Sequence, residues 1–253
     1  MAQALLLMFW MNVSLYQAAA ALNANSQWQD IISDNLASSG VPGFRKQSLS
    51  LAAVQAGLSP SASAVFTLPK ASSSVSFQPG EMQYTGDEKD VGIEGKSFFQ
   101  IQLPNGNKAV TRDGEFQVNA HGQLVTKEGY AVMGEQGPIQ LDPSISAPIS
   151  ISVDGNVSQG ADVVGKLKLT DYDNPQLLTQ ISGSYFLANN PKLHSHPGTG
   201  SLRDGYLEGS NTSVVGEMAN MMTAMRTFEA NQHVIQIQDD RLGKVISDLG
   251  NPS

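Results

Sequence analysis

Residues 214–249, VVGEMANMMTAMRTFEANQHVIQIQDDRLGKVISDL, carry apolar side chains at alternating steps of four and three: Val214, Met218, Met221, Met225, Phe228, Ile235, Leu242, Ile246 and Leu249. Gln232 and Asp239 interrupt the series with polar groups. Steps of this size fall on one narrow stripe of a helix. The repeat holds for about five heptads, so the stretch predicts a helix of about 50 Å at roughly 1.5 Å per residue. Asn211, Thr212 and Ser213 can each cap its first turn, and Gly250 followed by Pro252 stops it. A seam this long needs a partner; the plainer reading is an amphipathic helix lying on the core of its own domain.

A second stripe stands at the other end of the chain. Leu15, Ala18, Leu22, Asn25, Gln29, Ile32 and Leu36 repeat the three-four step, with Asn25 and Gln29 making its middle polar. Buried amides weaken a seam as a core but fix its register, because each accepts only partners that satisfy it. Ser14 with Gln17 fits a capping box, and Gly40 followed by Pro42 ends the helix. Residues 11–40 are therefore an N-terminal helix, and residues 207–253 a C-terminal coiled-coil helix.

Composition narrows the function classes. Of 253 residues, 40% are hydrophobic, enough for a packed core. A formal net charge of -8 with no Lys or Arg cluster argues against nucleic acid, whose binding rests on neutralising phosphates. Without cysteine the chain can build neither disulfides nor thiolate metal sites. The apolar run from Leu5 to Trp10 is too short for stable membrane insertion as a span. It also lacks the basic start of a secretory signal, since no Lys or Arg precedes Arg45. Met11 leads straight into the capping box, so residues 1–10 read as lying upstream of the true start.

Between the helices lie two stretches. Residues 41–89 are rich in Ser, Ala, Gly and Pro, and Pro60, Pro69 and Pro79 exclude a long helix. They read as an extended arm that packs on something else. Residues 90–206 have β grammar: Phe98, Phe99, Ile101 and Leu103 lead into the turn Pro104-Asn105-Gly106-Asn107, and Asp113-Gly114, His121-Gly122, Glu128-Gly129 and Asp154-Gly155 punctuate further short apolar runs. The expected fold class is α+β: terminal heptad helices forming a coiled coil, a central all-β domain built as a small antiparallel sheet or barrel, and an extended arm.

Candidate chemistry is sparse. His194 and His196, with Asp171 and Asp173 upstream, could hold a metal only if the fold gathered them. Their setting among Pro191, Pro197, Gly198 and Gly200 reads as a surface loop. Asp113 and Asp154 precede glycines and serve turn geometry. No nucleophile elbow and no phosphate-cradling loop is present. No catalytic, cofactor or metal residue is expected.

Several stretches, in order, resemble the bacterial flagellar rod and hook family. They are Asn35-Leu36-Ala37 followed by Gly43-Phe44-Arg45, then Asp90-Val91-Gly92-Ile93-Glu94-Gly95 with Phe98-Phe99. Thr111-Arg112-Asp113-Gly114-Glu115-Phe116, Gly122-Gln123-Leu124-Val125-Thr126 and Glu208-Gly209-Ser210-Asn211 complete the set. Ala37-Ser38-Ser39 departs from it, standing where the family has Ala-Asn with a Thr nearby. The resemblance implies a structural rod subunit of the basal body, with the terminal helices forming an inner tube and the β-domain outside it. Phe98-Phe99-Gln100-Ile101 and Gln123-Leu124-Val125-Thr126 are similar to distal more than proximal rod proteins, with the position in the rod left open. The implied partners are copies of the chain, other rod and hook subunits, and the type III export apparatus, which passes subunits unfolded with an uncleaved N-terminus. The competing class is an oligomeric surface adhesin, or a ligand-binding β-module, on a helical stalk.

Overall fold

The computed structural model describes residues 2–56, 66–145 and 147–250. Helix α1 spans Ala2–Ala37 and helix α2 spans Val214–Gly250, flanking a chain of short strands. Ser14 is thus interior to α1, and the expected capping box marks no helix end. The segment before it is dominated by Ala, Leu and Met, the strongest helix formers, and contains no Gly or Pro to stop the helix. Helix α2 spans the stretch between the expected caps and stop, with Ser213 just before its first residue and Gly250 as its last, but the expected helical segment of residues 207–253 starts too early, because Tyr206–Glu208 is a strand.

Two compact units divide the chain. The first gathers α1, α2 and most of a two-stranded ribbon of Gln47–Ala56 with Phe66–Val75. Ser48 Oγ lies 3.3 Å from Ser74 Oγ, and Ser72 Oγ donates to the Ser50 carbonyl at 3.4 Å, so the strands run antiparallel. Much of the expected irregular arm is therefore a ribbon. Backbone pairing and cross-strand serine contacts set its register, and neither leaves an alternating apolar pattern to be read.

The second unit holds Ala37–Lys46 and Val75–Ser213, so the β-domain starts earlier than Asp90 and takes in the end of the arm. Met82–Tyr84 pairs with Tyr206–Glu208, and Val91–Glu94 with Ser201–Asp204, both antiparallel. The main sheet is organised around Phe98–Gln102. This strand pairs along one edge with Lys108–Thr111; its other edge is shared between Ala131–Gly134 and Leu169–Tyr172. Both faces of this strand are covered. Phe99 stacks edge-on against Phe116 with centroids 5.0 Å apart, while Phe98 on the opposite face meets Phe77 at 6.0 Å and Phe186 at 6.4 Å. Burying each ring fully contributes about 2 kcal/mol. The hairpin at Asn105-Gly106 forms as expected, with the Leu103 amide bonded to the Asn107 carbonyl at 2.9 Å. A separate three-stranded sheet, Ile149–Ile151, Asn156–Gln159 and Asp162–Lys166, completes the unit.

Candidate functional site

Two places in the molecule gather the residues singled out in the sequence. The first is the helical unit. On α1 the most buried positions are Ala18, Ala24, Asn25, Ile32 and Asn35, while Leu15, Leu22, Gln29 and Leu36 are half-buried. On α2 the expected stripe splits. Met221, Phe228, Ile235 and Leu242 are half-buried, but Val214, Met218, Met225, Gln232 and Asp239 are exposed; the side chains of Ile246 and Leu249 lie outside the described residues. The other covered residues of α2 are Glu217 and Ala224, both buried, with Asn220, Asn231 and Gln238 half-buried; all of these but Asn220 stand one position before an exposed member of the stripe. Asn25 donates through Nδ2 to the Ala224 carbonyl at 3.0 Å, and Asn35 Nδ2 reaches Glu217 Oε2 at 3.4 Å. The covered side of α2 is thus mixed, with Glu217, Asn220, Asn231 and Gln238 among Met221, Ala224, Phe228, Ile235 and Leu242. Its open side carries Val214, Val215, Met218, Met222 and Met225, the last 53% exposed.

The second place lies within the β unit, where three of the sequence words meet. Glu208 Oε1 accepts from Arg45 Nη2 at 2.6 Å and from the Gly80 amide at 2.8 Å, while Arg112 Nη1 stands 3.4 Å from Oε2. The last contact is an ion pair without hydrogen-bond geometry. All three charged side chains are almost fully buried. Arg112 also donates to the carbonyls of Ile93 and Gly95 and lies 5.2 Å over the Phe98 ring. Burial brings its guanidinium down to about 10, Glu208 opposing and Arg45 adding to the fall.

Backbone contacts close this clasp. The Gly43 amide donates to the Glu208 carbonyl at 2.7 Å. Gly43 has φ +69, and a Cβ on it would stand 2.4 Å from the Asp113 amide nitrogen, so both conformation and contact require glycine. Gly80 is equally constrained, since a Cβ there would fall 2.0 Å from the Gly209 carbonyl oxygen. Phe44 is buried beside Gly43. Asn211 does not cap α2. Its Oδ1 accepts from the Lys46 amide at 2.7 Å, and its Nδ2 donates to the carbonyls of Ser76 and Gln78, each at 2.9 Å. Asp113 accepts from the Glu115 amide at 3.0 Å, as a turn aspartate does, but burial pushes its carboxyl up to about 7, with Glu115 and Glu128 adding to the rise.

The family-motif residues therefore divide between two tasks. Asn35, with Leu36 beside it, serves the helical unit, while Ala37, Gly43 and Phe44 belong to the β unit. Charge pairing in the clasp escaped sequence reading because its members are 163 residues apart, and an isolated Glu or Arg gives no signal of its partner. His194 and His196 gather no metal set: among the described residues no group of three or more His, Asp or Glu side chains is arranged to hold an ion. His196 Nε2 instead meets Asp173 Oδ1 at 3.0 Å on the surface.

Known proteins match this arrangement. Residues 92–159 match the model of the flagellar hook protein FlgE/F/G D1 domain, and residues 203–249 that of the flagellar basal body rod FlgEFG protein C-terminal region. The flagellar basal-body rod protein FlgG of Buchnera aphidicola subsp. Acyrthosiphon pisum is 34% identical over 262 residues, covering 92% of this chain and 98% of its own. FlgG of Borreliella burgdorferi is 33% identical, with 91% and 96% covered, and FlgF of Escherichia coli K12 is 32% identical, with 92% and 97% covered. With relatives more than 30% identical over nine tenths of its length, the chain belongs to the flagellar basal-body rod protein family and is a structural subunit of the flagellum, not an enzyme.

Proposed function

We propose that this rod subunit assembles through its terminal helices, paired as a coiled coil with neighbouring copies and other rod and hook subunits, into the axial tube that transmits torque and lines the export channel. One observation carries the reading: besides the side on which Glu217, Met221, Ala224 and Phe228 are covered, α2 leaves a second apolar flank of Val214, Val215, Met218, Met222 and Met225 open. A contiguous apolar flank of this kind is what an interface needs. The assembly seam comprises Val214, Met218, Met221, Met225, Phe228, Gln232, Ile235, Asp239, Leu242, Ile246 and Leu249 on α2. On α1 it comprises Leu15, Ala18, Leu22, Asn25, Gln29, Ile32 and Leu36. We further infer export by the type III apparatus with an uncleaved N-terminus; no described helix is long and apolar enough to cross a membrane. The adhesin alternative falls with the family.

Met225→Asp tests the seam. An unpaired charge buried at each contact costs several kcal/mol, while the same side chain in the free subunit stands in solvent. The β-domain's thermal transition is expected to stay in place while assembly and swimming are lost. Normal swimming by this variant would show that the flank is not an interface.

A further inference from the structure

The Asn35 side chain is fully buried and ties α1 to two other elements at once. Its Nδ2 donates to the Gln47 carbonyl at 2.8 Å, its Oδ1 accepts from the Gln47 amide at 2.9 Å, and the same Nδ2 lies 3.4 Å from Glu217 Oε2. The first two bonds are those a neighbouring strand would make. At the base of the ribbon, then, a side-chain amide on α1 stands in for a third strand. The third contact reaches the start of α2, where the buried Glu217 carboxylate also accepts from Asn220 Nδ2 at 3.4 Å.

A two-stranded ribbon alone is marginal in water, so its order depends on what grips it. Here the grip is an amide whose orientation matters: turned over, it would present its oxygen to the Gln47 carbonyl and its nitrogen to the Gln47 amide, and both bonds would be lost. Glu217 fixes the orientation, because only Nδ2 can face a carboxylate. We propose that Asn35 is a positioning residue coupling the two parts of the unit, so that the ribbon of Gln47–Ala56 with Phe66–Val75 is set only when α1 and α2 are paired. The coupling is internal to the subunit and stands whether or not the helices bind neighbours. Combined with the assembly reading, it means that a subunit presents an ordered ribbon only after its helices have closed.

Amide hydrogen exchange on the full chain tests this. Glu217→Ala leaves the Asn35 amide itself in place; the coupling nevertheless requires the Gln47 amide and the Ser72–Ser74 amides to exchange about tenfold faster, the change produced by losing a hydrogen bond of ordinary strength. Unchanged exchange in the ribbon overturns the proposal. Asn35→Asp should accelerate the same amides further, by setting two carboxylates against each other. Adding Glu217→Gln should then recover part of that loss, because the new amide at position 217 can donate to the new carboxylate, although the carboxylate still cannot donate to the Gln47 carbonyl. A purely structural role for Asn35 predicts no such partial rescue, and exchange in the double variant as fast as in Asn35→Asp alone overturns the coupling even if Glu217→Ala proves too disruptive to interpret. The thermal transition of the β unit serves as the folding control. Loss of assembly by Met225→Asp is scored separately, so failure of either reading leaves the other standing.

Discussion

Removing the buried Glu208 carboxylate should cost the β unit a large part of its stability. In Glu208→Ala the Arg45 guanidinium loses its carboxylate at 2.6 Å, Arg112 loses the charge at 3.4 Å, and the Gly80 amide loses an acceptor at 2.8 Å. Both arginines stay almost fully buried, and nitrogens on each already lack partners: Nε and Nη1 of Arg45 and Nε of Arg112. Two cations close together with no counter-charge are the case in which breaking a buried pair costs about 3–5 kcal/mol. Against a total stability of about 5–15 kcal/mol, that is a large fraction. At about 2–4 °C per kcal/mol for a unit of this size, the melting temperature should fall by roughly 10 °C. Glu208→Gln separates charge from geometry, since its oxygen can still accept from the Gly80 amide; it should lose about half as much. Urea unfolding followed by tryptophan-independent far-ultraviolet circular dichroism gives the free energies. A loss below about 1 kcal/mol in Glu208→Ala would refute the argument, because the two arginines would then be shown to find solvent or other acceptors without the carboxylate.

Three further outcomes are expected. Gly43→Ala should destabilise the β unit by about 2–4 kcal/mol in urea, from the strained φ of +69 and the contact with the Asp113 amide. Asp113 holds its proton up to about pH 7 in the folded protein and only to about pH 4 when unfolded, so the folded state binds more protons in that window. Wild-type stability relative to Asp113→Asn should therefore decline as pH rises from about 4 to about 7 and then level off; a difference independent of pH would sink the assignment. Brief proteolysis of the dilute chain should strip the terminal helices and leave a resistant fragment close to residues 75–213, with mass spectrometry reading its ends; equal resistance of the helices would refute the expectation that the helical unit opens more readily than the β unit.

How far the fold was legible depended on what each element needs from its side chains. The hairpins of the β unit were legible because turns such as Asn105-Gly106 impose local chemistry that neighbouring residues cannot disguise. Helix α2 was legible in its existence, and in its ends where the capping and stop residues mark them, but only part of its covered face was. Met221, Ala224, Phe228, Ile235 and Leu242 follow apolarity, whereas Glu217, Asn220, Asn231 and Gln238 do not, and the apolar repeat also took in Met218 and Met225, which stay exposed. Apolarity alone does not tell a position covered within the chain from one left open. The ribbon was hidden for another reason: Ser48, Ser50, Ser72 and Ser74 pair across it through hydroxyls and backbone, and no periodicity records that. The clasp residues were visible as sequence words, yet their meeting was not, because long-range charge pairing has no local signature.

Asn211 also gives the chain a neck. Its side chain bonds Lys46 on one side and Ser76 and Gln78 on the other, and the Ser76 amide adds its own bond to the Lys46 carbonyl at 2.9 Å. The two ends of the intervening segment are thus stapled together before the ribbon begins. Whatever is threaded between them enters and leaves at fixed points, and loop closure grows only with the logarithm of length. The segment can therefore be lengthened, shortened or exchanged at little cost to the β unit, which makes it the part of the subunit freest to diverge in evolution and the natural position for a grafted sequence.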